Sequence, residues 1–152
     1  AQAIGSTNLP LLELIPRRDV ELAAGEEVYI GEGKRDKIYY INGRLQREKL
    51  TEPAKRQLEE FIKGFIKENT QRFIDFFNKS TAINKRIHQI ELLPGIGKKH
   101  MQEILKQRNE KEFESFEEMK NRVQNLPGPE KAVEKRILQE LTNIERYNLF
   151  IN

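Results

Sequence analysis

The sequence predicts an α+β chain: a small N-terminal antiparallel β meander followed by a mostly helical region. Three observations lead there. β-branched and aromatic residues gather in short runs before residue 50, divided by glycine-containing loops. From Ala54 onward, apolar residues recur three and four apart, the period of an amphipathic helix. Leu-Pro-Gly occurs twice, at 93–95 and 126–128, each time between helical patterns. The implied organisation is a basic β unit over 1–50, connecting helices over 51–80 and a repeat-bearing helical region over 81–152.

In the β unit, Leu11 to Ile15 reads as a strand stopped by Pro16. Glu27 to Ile30 and Lys37 to Ile41 read as two more, joined through Gly31 to Asp36. Asn42-Gly43 is the strongest short-range hairpin signal and predicts a type I′ turn into Arg44 to Glu48. The meander therefore has three strands or four. Ala1 to Asn8 reads as an irregular lead or a non-native remnant, and lacks the basic-then-apolar order of a signal peptide. Tyr29, Tyr39 and Tyr40 are expected in core or rim packing, and any of them left exposed could stack on bases.

Thr51 is the expected N-cap of the first helix, with Pro53 in its first turn and Ala54, Leu58, Phe61, Ile62, Phe65 and Ile66 on its apolar face. A second helix, capped by Thr70, carries Phe73, Ile74, Phe76 and Phe77 as core. Ile83, Ile87 and Ile90 mark a third, with His88 on its surface. Ser115 with Glu118 forms a capping box that opens a short helix through Val123. A last helix over 130–147 uses Val133, Ile137, Leu141 and Ile144 to close the bundle.

Composition excludes several classes. There is no cysteine, so no disulfide framework and no thiolate zinc site, as suits a cytoplasmic protein. No apolar run nears the ~18 residues of a membrane span, so a membrane is not an expected partner. Net charge is only +3, but it is uneven: +5 over 78–108, +4 over 33–49 and −2 over 110–152. Positive charge therefore collects on the first Leu-Pro-Gly region and on the β unit, which favours a polyanionic partner.

Residues 92–101, Leu-Leu-Pro-Gly-Ile-Gly-Lys-Lys-His-Met, carry the chemistry. Pro94 presets its φ, and Gly95 supplies the positive φ of a sharp reversal. Gly97 lets a partner approach the backbone where the next helix, running to Arg108, begins with unsatisfied amides and the positive end of its dipole. Amides near Gly95, Ile96, Gly97 and Lys98 would hold one phosphate, reinforced by the charges of Lys98 and Lys99. Lys34, Arg35, Lys37 and Arg44 of the β unit would extend the contact.

The pattern Leu93-Pro94-Gly95-Ile96-Gly97, with Ile104 and Arg108 after it, resembles the helix-hairpin-helix motif. Met101 stands where that motif usually has a small residue. Laid over Leu126 to Leu138, the segment Leu93 to Leu105 matches at six of thirteen positions. The second copy is degenerate, with Pro129 and Glu130 in place of Ile96 and Gly97. The pair thus resembles a tandem helix-hairpin-helix domain, and the β unit resembles part of an OB or S1-like barrel. From about Leu11 onward the arrangement resembles an archaeal family of unknown function whose members are described as predicted RNA-binding proteins. The hairpin resemblance implies that the carbonyls of Glu91, Leu93 and Ile96 coordinate a monovalent cation that bridges to a phosphate.

No nucleophile elbow, P-loop or zinc spacing is present, and the carboxylates lie on helix faces beside lysines. The stretch after the first hairpin also lacks the aspartate of helix-hairpin-helix glycosylases. The expectation is a non-catalytic protein, without a cofactor other than the hairpin cation, that binds nucleic acid largely without regard to sequence, RNA in preference to DNA. The alternatives are a DNA-binding accessory subunit in repair or replication, and a protein-interaction module. A protein partner would then belong to a translation-linked or repair complex.

Overall fold

Prolines at both ends frame the run Leu11-Leu12-Glu13-Leu14-Ile15, which becomes the central strand of a three-stranded antiparallel sheet. The structure is a computed structural model that describes residues 1–142 and 145–151. Its strands are β1 (Gln2–Ile4), β2 (Leu11–Pro16) and β3 (Ile38–Arg44), in the order β1-β2-β3. Five α-helices follow: α1 (Glu52–Glu68), α2 (Thr70–Lys79), α3 (Lys98–Glu110), α4 (Phe116–Arg122) and α5 (Pro129–Thr142). The chain is therefore α+β, with its helices C-terminal to the sheet. It divides into one unit of Ala1–Leu58 with Leu141–Asn152 and another of Glu59–Glu140. Among the described residues, no helix is long and apolar enough to cross a membrane.

In the first unit, β1 pairs Gln2 with Glu13 and Ile4 with Leu11, so the expected irregular lead is instead an edge strand. Its tripeptide Gln-Ala-Ile has no local strand signal, and β2 supplies the pairing. The Gln2 side chain donates to the Lys49 carbonyl and accepts from the Thr51 amide, tying β1 to the start of α1. Thr51 caps α1 as expected, accepting from the Ala54 amide at 3.3 Å.

β3 corrects the hairpin expected at Asn42-Gly43. The strand runs through both residues, and the positive φ of Gly43 (+144°) serves a bulge rather than a turn. Pro16 opposes Ile38 and Ile15 opposes Tyr40, so Tyr39 is an extra residue. Leu14 opposes Ile41 and Glu13 opposes Gly43, so Asn42 is a second one. After Arg44 the chain makes a single 3₁₀ turn over Arg47–Lys49 where a strand was expected.

The strand expected over Glu27 to Ile30 does not form. The Tyr29 ring lies over Gly31, and its hydroxyl accepts from the Gly33 amide. Arg35 Nε donates to the Gly31 carbonyl at 2.9 Å. These local bonds hold the segment as a loop.

In the second unit, aromatic rings link the helices. Phe65 of α1 meets Phe73 of α2 edge to face at 6.1 Å, and Phe77 of α2 meets Phe116 of α4 at 6.4 Å. Of the aromatic stripe, Phe73, Ile74 and Phe77 are buried as predicted, whereas Phe76 is only half-buried. Thr70 does not cap α2. Its hydroxyl donates to the Ile66 and Lys67 carbonyls, which satisfies the end of α1 instead. Arg108 does the same for α2, donating to the Phe77 and Ser80 carbonyls at 3.1 and 2.8 Å. Ser115 accepts from the Glu118 amide at 3.0 Å and starts α4 as expected.

No α-helix enters the Leu93 turn. The Asn84 side chain accepts from the amides of Arg86 and Ile87, making a tight turn that competes with helix. Ala82 and His88 then bridge antiparallel, and only a 3₁₀ turn, Gln89–Leu92, precedes Leu93. The last helix opens at Pro129 and ends at Thr142, short of the expected Tyr147; residues 145–147 are irregular, and Ile144 lies outside the described residues. Near the end of α5, Arg136 Nε and Glu140 form a buried ion pair at 2.9 Å, and Arg136 also donates to the Leu92 carbonyl.

Candidate nucleic-acid interface

The turn Leu93 to Gly97 is built from two plugs and two glycines. Leu93 and Ile96 are buried, and the Ile96 amide donates to the Leu93 carbonyl at 3.1 Å, closing the turn. Gly95 takes φ +84°, the left-handed conformation that its place in the turn demands. Gly95, Gly97, Lys98 and Lys99 are exposed. Burying the apolar residues thus turns the glycine backbone and both lysines outward.

Gly97 is the N-cap of α3, with φ −93° and ψ −173°, and no side chain caps this helix. The first bond back to the cap runs from the Met101 amide to the Gly97 carbonyl. The amides of Lys98, Lys99 and His100 therefore lack intrahelical acceptors and sit at the positive end of the helix. A Cβ at Gly97 would find no heavy atom within 4 Å outside its chain neighbours, so the space beside the cap is open. Neither Lys98 nor Lys99 has a carboxylate within ion-pair distance among the described residues.

His88 is not on the surface, as the sequence suggested, but only 8% exposed. Its Nδ1 accepts from the Ile90 amide, and Glu91 accepts from the His88 amide. The pair is a capping box for the 3₁₀ turn, signalled in the sequence by a polar residue followed three places on by glutamate. Burial lowers the His88 pKa first, the Arg108 charge lowers it further, and Glu91 partly opposes both.

The second Leu-Pro-Gly lies against the first. A Cβ on Gly95 would stand 3.9 Å from Pro127 Cβ. The second turn has different geometry: its left-handed residue is Asn125 (φ +59°), and Gly128 is not left-handed. Pro129 opens α5 without an amide proton, and Glu130 pairs with Lys120 at 2.9 Å. This turn offers fewer donors than the first and carries a carboxylate beside them.

Of the carbonyls assigned to a monovalent cation, that of Leu93 accepts the Ile96 amide, while those of Glu91 and Ile96 flank the turn. Among the described residues no group of three or more His, Cys, Asp or Glu could hold a metal ion.

The remaining basic candidates belong to the first unit. Lys34 and Arg44 are exposed and unpaired among the described residues. Arg35 is spent on its own loop through the Gly31 carbonyl, and Lys37 pairs with Glu26, whose pKa that bond lowers. The tyrosines overturn the expectation of core or rim packing: Tyr29, Tyr39 and Tyr40 are 59, 65 and 45% exposed.

Residues 1–152 match the family described as a protein of unknown function, DUF655. The chain belongs to this family. Two of its relatives are archaeal. An uncharacterised protein of Methanocaldococcus jannaschii, MJ0038, is 39% identical over 152 residues, which are 99% of this chain and 69% of that protein. The crystal structure of Af1531 from Archaeoglobus fulgidus, also assigned to DUF655, is 42% identical, with a TM-score of 0.85. That match covers 100% of this chain and 85% of the other. The DUF655 fold therefore extends over both the sheet and the helices described above.

Proposed function

We propose that this DUF655 protein is a non-catalytic, cytoplasmic nucleic-acid-binding protein. It holds RNA, in preference to DNA, by its phosphate backbone at the glycine turn that opens α3. The observation that carries this reading is the start of α3: an uncapped helix N-terminus behind an exposed Gly97, with open space before it and two unpaired lysines beside it. The +5 charge over 78–108 supports an anionic partner, and backbone amides facing a phosphate read no base. The resemblance to proteins described as RNA-binding favours RNA.

The test is fluorescence anisotropy with single-stranded RNA, duplex RNA and duplex DNA of equal length across a salt series. Affinity should fall with salt at a log–log slope of about −0.7 to −0.9 per neutralised phosphate. Lys98→Ala with Lys99→Ala should weaken binding and flatten that slope by roughly one for each phosphate-contacting lysine lost. No binding at low salt, or a slope unchanged in the double variant, overturns the proposal.

A further inference from the structure

Phosphate binding at the turn leaves one exposed feature of the sheet unused. β3 is an edge strand, and on a regular strand Tyr39 and Tyr40 would point to opposite faces. The extra residue at Tyr39 breaks that alternation, and both rings stand in solvent, 65 and 45% exposed. They meet edge to face, centroids 5.4 Å apart at 71°. Such a contact uses the face of one ring and the edge of the other, so the two rings do not stack on each other. Tyr29 differs, because its ring lies on Gly31 and its hydroxyl is held by the Gly33 amide.

The charge around the pair has the sign that a nucleic acid requires. Residues 33–49 carry six Lys or Arg against Asp36 and Glu48, although Lys37 is paired with Glu26 and Arg35 with the Gly31 carbonyl. Arg44 lies on the same strand, exposed and without a carboxylate partner among the described residues, and Lys34 is likewise unpaired. Exposed π-faces on a strand that also carries an unpaired cation are what binders of single strands use, because every unpaired base has a face to stack. A duplex has its base faces covered by neighbouring pairs and offers none.

We propose that Tyr39 and Tyr40 form a stacking site for unpaired bases of single-stranded RNA, whose phosphates Arg44 and Lys34 attract. This rests on the nucleic-acid function proposed above and adds a preference that the α3 turn cannot supply.

The experiment titrates labelled single-stranded and duplex RNA of equal length with wild type, Y39A/Y40A, Y39F/Y40F and K98A/K99A, with circular dichroism to verify each fold. Y39A/Y40A should weaken single-strand binding about ten-fold or more and leave duplex binding unchanged. Y39F/Y40F keeps both π-faces and should bind the single strand as wild type does. Equal losses on both RNAs, no loss on the single strand, or a Phe variant as weak as the Ala variant each overturn the stacking site. K98A/K99A should weaken both RNAs. If it changes neither while the tyrosine effect persists, the α3 turn is refuted and the stacking site stands. If the wild type binds neither RNA, both proposals fail.

Discussion

Replacing Gly97 with serine should separate the stability of α3 from its proposed ligand. Gly97 is an N-cap with φ −93° and ψ −173°, a conformation that any residue adopts. An added Cβ meets no heavy atom within 4 Å, so the fold accepts the side chain. A serine there places its hydroxyl oxygen on the Lys99 or His100 amide, the usual N-cap bond. The exchange of Gly for Ser at an N-cap is worth only a few tenths of a kcal/mol, so Tm should rise by roughly 1 °C. The same oxygen occupies a donor that a phosphate would use and presents its own lone pairs to the incoming anion. A hydrogen bond to a charged group is worth about 1.5–3 kcal/mol, so affinity should drop roughly ten-fold to a hundred-fold. Gly97→Val acts differently. It caps poorly and lowers Tm slightly, yet it blocks the same approach with two methyl groups. Serine and valine thus move stability in opposite directions and affinity in the same one. Calorimetric melting with fluorescence anisotropy on single-stranded RNA reads both quantities. Wild-type affinity in either variant would refute the placement of a phosphate on these amides.

Two further predictions concern the frame of the turn. Gly95→Ala forces a side chain into φ +84°, which costs about 1–2 kcal/mol; the new Cβ sits in ordinary contact with Pro127, so strain alone sets the loss. Chemical denaturation should show a lower midpoint, and an unchanged one would contradict the left-handed turn. His88 predicts an acid-side loss of stability. Burial first, and then Arg108, lowers its pKa in the folded protein, whereas the unfolded chain protonates near the usual value. Between those two values only the unfolded state binds the proton. Stability is therefore full above the unfolded value, falls as pH drops through it, and levels off below the folded one. Protonation would also take Nδ1 from the Ile90 amide. His88→Asn retains a capping oxygen without the titration, so its denaturation midpoint should depend less on pH across this range; equal dependence in both proteins would exclude His88 as the cause.

The features legible in the sequence are those decided within a turn or two of chain. The apolar periods of α1 and α2 are local, and so is the Leu93 turn, where Pro94, Gly95 and the buried pair Leu93 and Ile96 fix the backbone together. The misread elements depended on a partner or a competitor. Gln2–Ile4 became a strand because β2 lay beside it, and Glu27 to Ile30 remained a loop held by the local bonds of Tyr29 and Arg35. Ile83, Ile87 and Ile90 have helical spacing, but the Asn84 side chain took the amides first. Asn42-Gly43 marked a need for positive φ correctly, but a bulge needs it as much as a hairpin does. A second bulge decides the exposure of the tyrosine pair. Ile38-Tyr39-Tyr40-Ile41 reads as a strand packed on both faces, because strict alternation assigns one tyrosine to each. The register shift opposite Ile15 and Pro16 cancels the alternation at that point. An exposed aromatic pair on this sheet is thus a consequence of pairing, and it appears where the strand period breaks.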